Sequence, residues 1–451
     1  MREHDVNTSQ QGAPKAVLTT RDTIAIIVGL VIGAGIFRFP PLVAANSPDE
    51  TVFYLLWIAG GVVSLVGALC YAELATAYPS AGGDYHFLQR AFGRTLSFLF
   101  GWARIAVITT GAIALLAYTF GDYASTLLRL GPNSSAVYAA LAVLALTAVN
   151  LLGIRETKST QNVLTTLLVL GVIAVIVTGV LLVAPAPPAA AAAPAKSWTA
   201  GVPFAMLFIL FTYSGWNEAA YVSAELKERR SMVVALVISL VLVTVLYLAI
   251  NLAYVRGLGF QGVAKSETVA ADLMQLQFGA TGANIISAIV CLAALTSINA
   301  TIIAGARSNY ALGSDWPIFA WLGRWDGRAD APRNSLYVQG AFALALVVAG
   351  AFTDQVKTMI EYTSPVFWFF FMLVGVGLFV LRARDPGAPR PFKVPLYPLT
   401  PLIFVLTCAY LLYSSLAYVK GGAWAGVAVL AVGLVLLMLG SGRRAPEAGR
   451  P

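Results

Sequence analysis

Two glycine-interrupted apolar segments hold the residues of this 451-residue chain whose types and spacing could do chemistry. The first is Gly29-Leu-Val-Ile-Gly33-Ala34-Gly35-Ile36-Phe37, and the second is Phe211-Thr212-Tyr213-Ser214-Gly215-Trp216-Asn217. Glycine lets a helix open without a Cβ penalty, which frees backbone N–H and C=O groups inside an apolar medium. The N–H groups that start a resumed helix attract a carboxylate, and exposed carbonyls attract an ammonium or a cation. One broken helix cannot easily serve both ends of a zwitterion; two facing each other can. Taken alone, Gly29-x-x-x-Gly33 reads first as a small-residue packing face. A dinucleotide-binding reading of Gly33-x-Gly35 lacks the strand–turn–helix setting it needs. The pairing with the second segment is what favours binding.

Other chemistries find little support. Cys70, Cys291 and Cys408 all fall in apolar runs, with no metal or disulfide spacing. The two histidines, His4 and His86, lie in or beside polar connecting segments. No compact His, Cys or carboxylate cluster suggests an enzyme, and no metal or cofactor is expected from these residues.

The elements that must position the two segments are membrane spans. The chain is 59% apolar and only 11% charged, against about 25% charged in a soluble domain. Mean hydropathy is +0.79. Apolar runs long enough for ~30 Å of hydrocarbon recur at about 22–45, 52–78, 92–125, 136–153, 161–184, 201–225, 232–257, 282–312, 335–352, 359–382, 397–418 and 423–440. Twelve spans with the N-terminus inside place most of the 29 Lys and Arg in cytoplasmic segments, as the positive-inside rule requires. The net charge of +8 therefore needs no nucleic acid as partner. The first 20 residues lack the apolar core of a signal peptide, so no cleavage is expected. Residues 185–194 are rich in Pro and Ala and read as an external linker. Residues 258–281 form a second external segment with a short helix over 268–278, and 313–334 reads as a solvated cytoplasmic loop.

At this point the chain resembles a known family, the amino acid–polyamine–organocation transporters. Gly33-Ala34-Gly35-Ile36-Phe37 is similar to their first-helix motif. Further likenesses are Tyr71-Ala72-Glu73-Leu74, Pro79-Ser80-Ala81-Gly82-Gly83-Asp84-Tyr85, Arg90-Ala91-Phe92-Gly93, Gly101-Trp102, Tyr221-Val222, Glu225-Leu226-Lys227, Ser297-Ile298-Asn299-Ala300-Thr301 and Arg390-Pro391-Phe392-Lys393-Val394-Pro395. The resemblance covers roughly residues 20–420. It implies an all-α polytopic membrane protein of twelve transmembrane helices in a five-plus-five inverted-repeat, leucine-transporter-like fold, with spans 1 and 6 discontinuous. On that plan 1–20 is a cytoplasmic tail, 21–184 the first repeat and 185–200 the external linker. Residues 201–382 are the second repeat, 383–440 the last two spans and 441–451 a cytoplasmic tail.

The resemblance also implies a substrate site for amino acids. N–H groups near Gly33, Ala34 and Gly35 would hold the carboxylate. Carbonyls near Val31, Ile32, Phe211, Thr212 and Ser214 would hold the ammonium, with Asn217 as a polar wall and Phe211 as a lid. Two departures bear on coupling. Many relatives carry a lysine in span five where Leu168 stands, and many have glycine just before the span-eight serine, where this chain reads Ala293-Ala294-Leu295-Thr296-Ser297. That stretch resembles the sodium-ligand segment of neurotransmitter-type symporters. Carbonyls near Val28, Val31 and Ala293 with the hydroxyls of Thr296 and Ser297 would then bind sodium in place of the lysine. The other reading has both hydroxyls bonding back to their own helix.

Ionisable residues inside spans are functional candidates because they are costly there. Arg38-Phe39-Pro40 resembles the external-gate arginine of the symporters, although Arg38 could equally snorkel to headgroups. Glu218 is a candidate proton carrier or a structural partner for Arg104. Glu73 and Glu225, at cytoplasmic ends, are expected to pair with loop arginines as an internal gate. The expectation is a secondary active transporter of neutral α-amino acids in the cytoplasmic membrane, sodium-coupled, with a proton-coupled symporter or an exchanger as alternatives. A membrane nutrient receptor that binds without transporting is the alternative of another class. The oligomeric state is not legible.

Overall fold

Inside hydrocarbon every backbone N–H and C=O must find a partner within the protein, and long apolar runs do so by coiling into α-helices. The computed structural model describes residues 19–80, 82–153, 158–187, 198–218, 229–327, 331–418 and 421–440. The chain begins with α1 (Thr20–Val31), α2 (Gly35–Asn46), α3 (Glu50–Ala77) and α4 (Gly83–Phe92). Next come α5 (Arg94–Ala103), α6 (Thr109–Leu127), α7 (Ser134–Leu151), α8 (Lys158–Val177) and α9 (Trp198–Thr212). The remainder is α10 (Arg229–Leu258), α11 (Phe260–Lys265), α12 (Val269–Asp315), α13 (Arg333–Ala351), α14 (Gln355–Arg384), α15 (Leu399–Tyr418) and α16 (Gly421–Gly440). Two π-helical segments, Arg104–Ile108 and Thr178–Leu182, join α5 to α6 and end α8.

Among the described residues nine helices are long and apolar enough to cross a membrane. The chain is a polytopic membrane protein. The other apolar stretches are shorter. α1 and α2 have 12 residues each, about 18 Å of helix at 1.5 Å per residue, so neither half crosses alone.

Packing forms two neighbourhoods. In one, α2 lies along α9 and α11, while α10 packs against both α1 and α3. In the other, α12 packs on α6 and α8, and α7 lies against α6 and α13. α14 carries α15 and α16 on its flank. Apolar driving force is weak between helices in lipid, so close approach and internal hydrogen bonds hold such bundles. Both are present: the Asn150 amide donates to the Asn299 side-chain oxygen at 2.7 Å, and Gln339 donates to the Ile302 carbonyl at 3.0 Å.

Two expectations about connections fared differently. The helix expected near 268–278 exists: α12 starts at Val269 and kinks at Gly279, where φ is +60°. Among its described residues, the segment 313–334 is only partly solvated. Phe319 and Leu322 are buried with Phe98, Ile105 and Leu312, Trp316 meets the Phe98 ring at 4.7 Å, and Phe319 stacks on Trp102 at 5.9 Å. Its charges hid an aromatic anchor that only the neighbouring helices could reveal. Most of the 185–194 linker lies outside the described residues.

Small residues mark the closest approaches. A Cβ on Gly179 would lie 2.7 Å from the Ala253 Cβ and 2.8 Å from its carbonyl carbon. Gly179→Val is therefore expected to cost about 1–3 kcal/mol through overpacking, read as a lower Tm in detergent. Gly387→Ala, with nothing within 4 Å, should leave the Tm unchanged.

Candidate functional site

The first break falls at Ile32, Gly33 and Ala34. The Gly33 amide donates back to the Val31 carbonyl at 2.9 Å, a tight turn that ends α1. α2 then starts at Gly35 with Ala34 at its cap position and no side-chain cap. The opening N–H groups of a helix have no intrahelical acceptor, and the helix dipole favours negative charge there. α2 thus presents an uncapped positive end within the protein. A methyl group on Gly33 would meet no atom within 4 Å, so this edge of the break is open. On Gly35 it would lie 3.6 Å from the Thr212 Cα, which shows that the two breaks face each other.

α2 also contains Pro40 and Pro41, which cannot donate to the carbonyls four residues back. The carbonyl that Pro41 leaves open belongs to Phe37, and the buried Tyr123 hydroxyl donates to it at 2.9 Å.

The second break follows Thr212. Gly215 has φ +111°, a left-handed conformation suited to glycine, and a short 3₁₀ turn covers 216–218. The Ser214 amide and hydroxyl both donate to the Phe211 carbonyl, at 3.3 and 2.6 Å. The Gly215 amide donates to the Asn217 side-chain oxygen at 3.3 Å. The Phe211 ring packs 5.5 Å from Phe367 and 6.4 Å from Trp368. Beside Ser214 and Asn217 lies a cavity of ≈ 20 Å³, also lined by Ser64 and Trp368, with room for about one water.

One side chain ties the breaks together. The Tyr247 hydroxyl, fully buried on α10, lies 2.8 Å from the Val31 carbonyl oxygen and 3.1 Å from that of Thr212. It is placed to donate to the last carbonyl of both half-helices. The Val31 carbonyl also accepts from the Gly33 amide, whereas that of Thr212 keeps a second lone pair and remains a negative pole beside the positive end of α2. The arrangement can bind both ends of a zwitterion.

Around the expected ion site, Gly29 of α1 lies against Thr165 of α8 at Cβ contact distance, 3.5 Å. Leu168 is buried one turn further along α8, and no amine occupies that place. Ala293 and Thr296 are buried and Ser297 is half-buried. The Thr296 hydroxyl donates to the Leu292 carbonyl at 2.9 Å, and the Val28 carbonyl accepts from Ile32 at 2.8 Å.

The candidate gate residues separate to opposite ends of the bundle. Arg38 lies 2.9 Å from Asp122 of α6, both side chains nearly buried, in a charge contact rather than an aligned hydrogen bond. Ser135 donates to the other Asp122 oxygen at 2.5 Å, and Arg38 donates to the Glu267 carbonyl at 3.1 Å. These groups form the floor of an open polar vestibule of ≈ 550 Å³ that also carries Arg129 and Asp354. At the far end of α3, Glu73 is 1% exposed. It accepts from Arg382 at 2.7 Å and the Val394 amide at 2.7 Å, with Arg390 at 3.5 Å. Glu218 is half-buried next to Asn217, whose amide lies 3.5 Å from its carboxylate. Glu225 lies outside the described residues.

The sequence profile of a family described as amino acid permease matches residues 18–439. The chain belongs to the amino acid permease family. Among curated relatives, the b(0,+)-type amino acid transporter 1 of Rattus norvegicus is 28% identical over 413 residues, covering 89% of this chain and 82% of the relative. The large neutral amino acids transporter small subunit 2 of Mus musculus is 30% identical over 426 residues, covering 92% and 78%. The family lies within the superfamily that the motifs resembled.

Sequence reasoning missed three residues of this permease site: Tyr247, Tyr123 and Asp122. Tyr123 had a readable signal, since the Pro40-Pro41 pair announces a carbonyl in need of a donor. Asp122 had one too, an ionisable side chain inside the apolar run 92–125; Tyr247 had none, because it finds its partners only through packing between helices.

Two outcomes follow for the permease. Tyr247→Phe leaves the buried Thr212 carbonyl without this donor and should cost about 1–3 kcal/mol by Tm in detergent. Tyr138→Phe, whose bond to the Leu128 carbonyl is exposed, should cost far less. Asp122→Ala strands Arg38 and should cost about 3–5 kcal/mol, while the double variant Arg38→Ala/Asp122→Ala recovers part of that loss. Strict additivity of the two single changes would show that the pair is not coupled.

Proposed function

We propose that this permease is a secondary active transporter of neutral α-amino acids that works by alternating access. The observation that carries the reading is the pair of facing breaks, where an uncapped α2 start stands beside two carbonyls gathered by Tyr247. Gly33, Ala34 and Gly35 take the carboxylate. Carbonyls of Val31, Ile32, Phe211, Thr212 and Ser214 take the ammonium, Phe211 closes over the site, and Asn217 forms a wall. A neutral side chain fits because Glu218, the acid nearest the second break in sequence, acts electrostatically on the buried Asp84. One relative is itself named for large neutral amino acids.

In this reading α1 with α2 and α9 are the broken first helices of two five-helix repeats in a twelve-span fold. Both termini are cytoplasmic, and the protein resides in the cytoplasmic membrane. The Arg38–Asp122 contact closes the external path, and the Glu73 cluster closes the internal one. Sodium takes the place that Leu168 leaves without an amine. Thr296 spends its proton on Leu292 and keeps lone pairs that can face a cation.

The test is a scan of amino acids for thermal stabilisation, then uptake into proteoliposomes. A ligand at a hundredfold its Kd stabilises by about 2.7 kcal/mol. Neutral amino acids should do so, and uptake should fall when choline replaces sodium. Gly33→Ala should fold normally yet lose about tenfold in affinity, about 1.4 kcal/mol, because its methyl group enters the open edge of the break. Undiminished binding and uptake in that variant would remove the site from this position. Binding without uptake in the unaltered protein would identify a receptor instead.

A further inference from the structure

The mechanism above leaves one buried group of charges unused. Asp84 opens α4, the helix between the α3 span and the α5–α6 span, and is only 4% exposed. Its Oδ1 has no hydrogen-bond partner although it is fully enclosed. Three other groups act on it: Glu218 from the segment after the second break, Arg104 from the head of the π-helical segment, and the Tyr71 hydroxyl from α3. Tyr71 is also the contact to the break itself, its ring packing edge-on to Trp216 at 5.1 Å.

The other charged groups near α4 are committed elsewhere. On α14, Arg382 is bound to Glu73, and Arg384 donates to the Ala91 carbonyl at 2.9 Å. On α5, Arg94 donates to the Asp315 carbonyl. On α4 itself, Arg90 lies over the Tyr78 ring and 3.8 Å from Asp385. Burial and Arg90 together hold the His86 imidazole below its usual range. Among the described residues, Asp84 therefore has one guanidinium, Arg104, and one competing carboxylate, Glu218, acting on it. With both carboxylates ionised, the enclosed Asp84 meets a like charge while shut off from water, and its unpartnered oxygen calls for a proton.

We propose that Asp84, with Glu218 and Arg104 acting on it, is a proton-binding site whose occupancy docks the segment after the second break onto α4. A proton on Asp84 removes its repulsion with Glu218. Losing it sets two carboxylates against each other and loosens this end of the permease. Burial, then the charge of Glu218, push the Asp84 carboxyl up to about 7, so the site titrates near neutrality. The sign is that of a raised acid: the folded protein binds the proton more tightly than the unfolded chain, and stability contributed at low pH is lost as pH rises towards that value. The inference rests on the transporter reading for its effect on flux, but not for proton binding itself.

The experiment uses the full chain, purified and reconstituted, with two readouts over a pH series. Infrared difference spectra should show a protonated carboxyl band that disappears with a midpoint near neutrality, and this band should be missing in Asp84→Asn. Amino acid uptake should change across the same interval, and in Asp84→Asn that pH dependence should be lost. Glu218→Gln, which removes the competing charge, should shift the band's midpoint downward, and it serves as the second variant if Asp84→Asn fails to fold. A spectrum without the band, or a band that Asp84→Asn and Glu218→Gln both leave unchanged, overturns the proposal. A titrating band in a protein that takes up no amino acid leaves the proton site standing and removes the transporter reading alone.

Discussion

The constraint on which the rest of this permease depends is that a helix opened inside a membrane must have its freed backbone groups answered by protein. Here a single phenol answers two of them. Tyr247 sits on α10, between the end of α1 and the end of α9, and its hydroxyl meets the Val31 and Thr212 carbonyls at once. Tyr213, from the second break, stacks edge-on against Tyr247 at 5.0 Å and donates to the Trp57 carbonyl of α3 at 3.1 Å. The two breaks are thus held as one unit. A movement of α1 relative to α9 has to pass through this shared hydroxyl.

The same logic explains the aromatic and polar furniture around the site. The prolines of α2 stop the helix ladder where α2 leaves the break, and Tyr123 supplies the missing donor from α6. Side chains that could have filled the substrate space are instead turned on their own backbone: Thr212 donates to the Phe208 carbonyl at 2.8 Å and Ser214 to that of Phe211. The backbone at both breaks is therefore shaped by internal bonds, while the start of α2 keeps no side-chain cap. In the proposed function, a site made mainly of main-chain groups would recognise what all α-amino acids share, and leave discrimination to the walls around Phe211 and Asn217.

Charges follow a second rule, that a buried ion needs a counter-ion with good geometry. Glu73 meets it with two arginines and an amide, and this knot joins α3 to the end of α14 and the chain beyond it. Arg38 meets it with Asp122 and the Glu267 carbonyl, joining α2 to α6 and to the start of α12. Both knots bridge elements from different parts of the bundle and stand at opposite ends of it. Asp84 departs from the rule, its enclosed Oδ1 having no hydrogen-bond partner, which is why a proton is the proposed ligand there.

The sequence by itself determined where the backbone would open and that most of the chain would lie in a membrane. Both are local properties: Gly33, Gly35 and Gly215 relax the helix wherever they stand, and hydropathy is a sum over neighbouring residues. Arg38 and Glu73 were also legible, because an ionisable side chain at membrane depth is costly enough to stand out. Only the tertiary structure decided which groups answer the breaks and the charges. Tyr247 lies 216 positions from Val31, and Asp122 and Tyr123 reach α2 from another span. The anchoring of the otherwise exposed stretch 313–327 was hidden for the same reason, since the aromatic side chains of Trp316 and Phe319 find Phe98 and Trp102 only after the helices have come together. Opening a helix is decided by the residues within one turn, whereas satisfying it requires a donor or counter-ion at about 3 Å, and that distance exists only once the chain has folded.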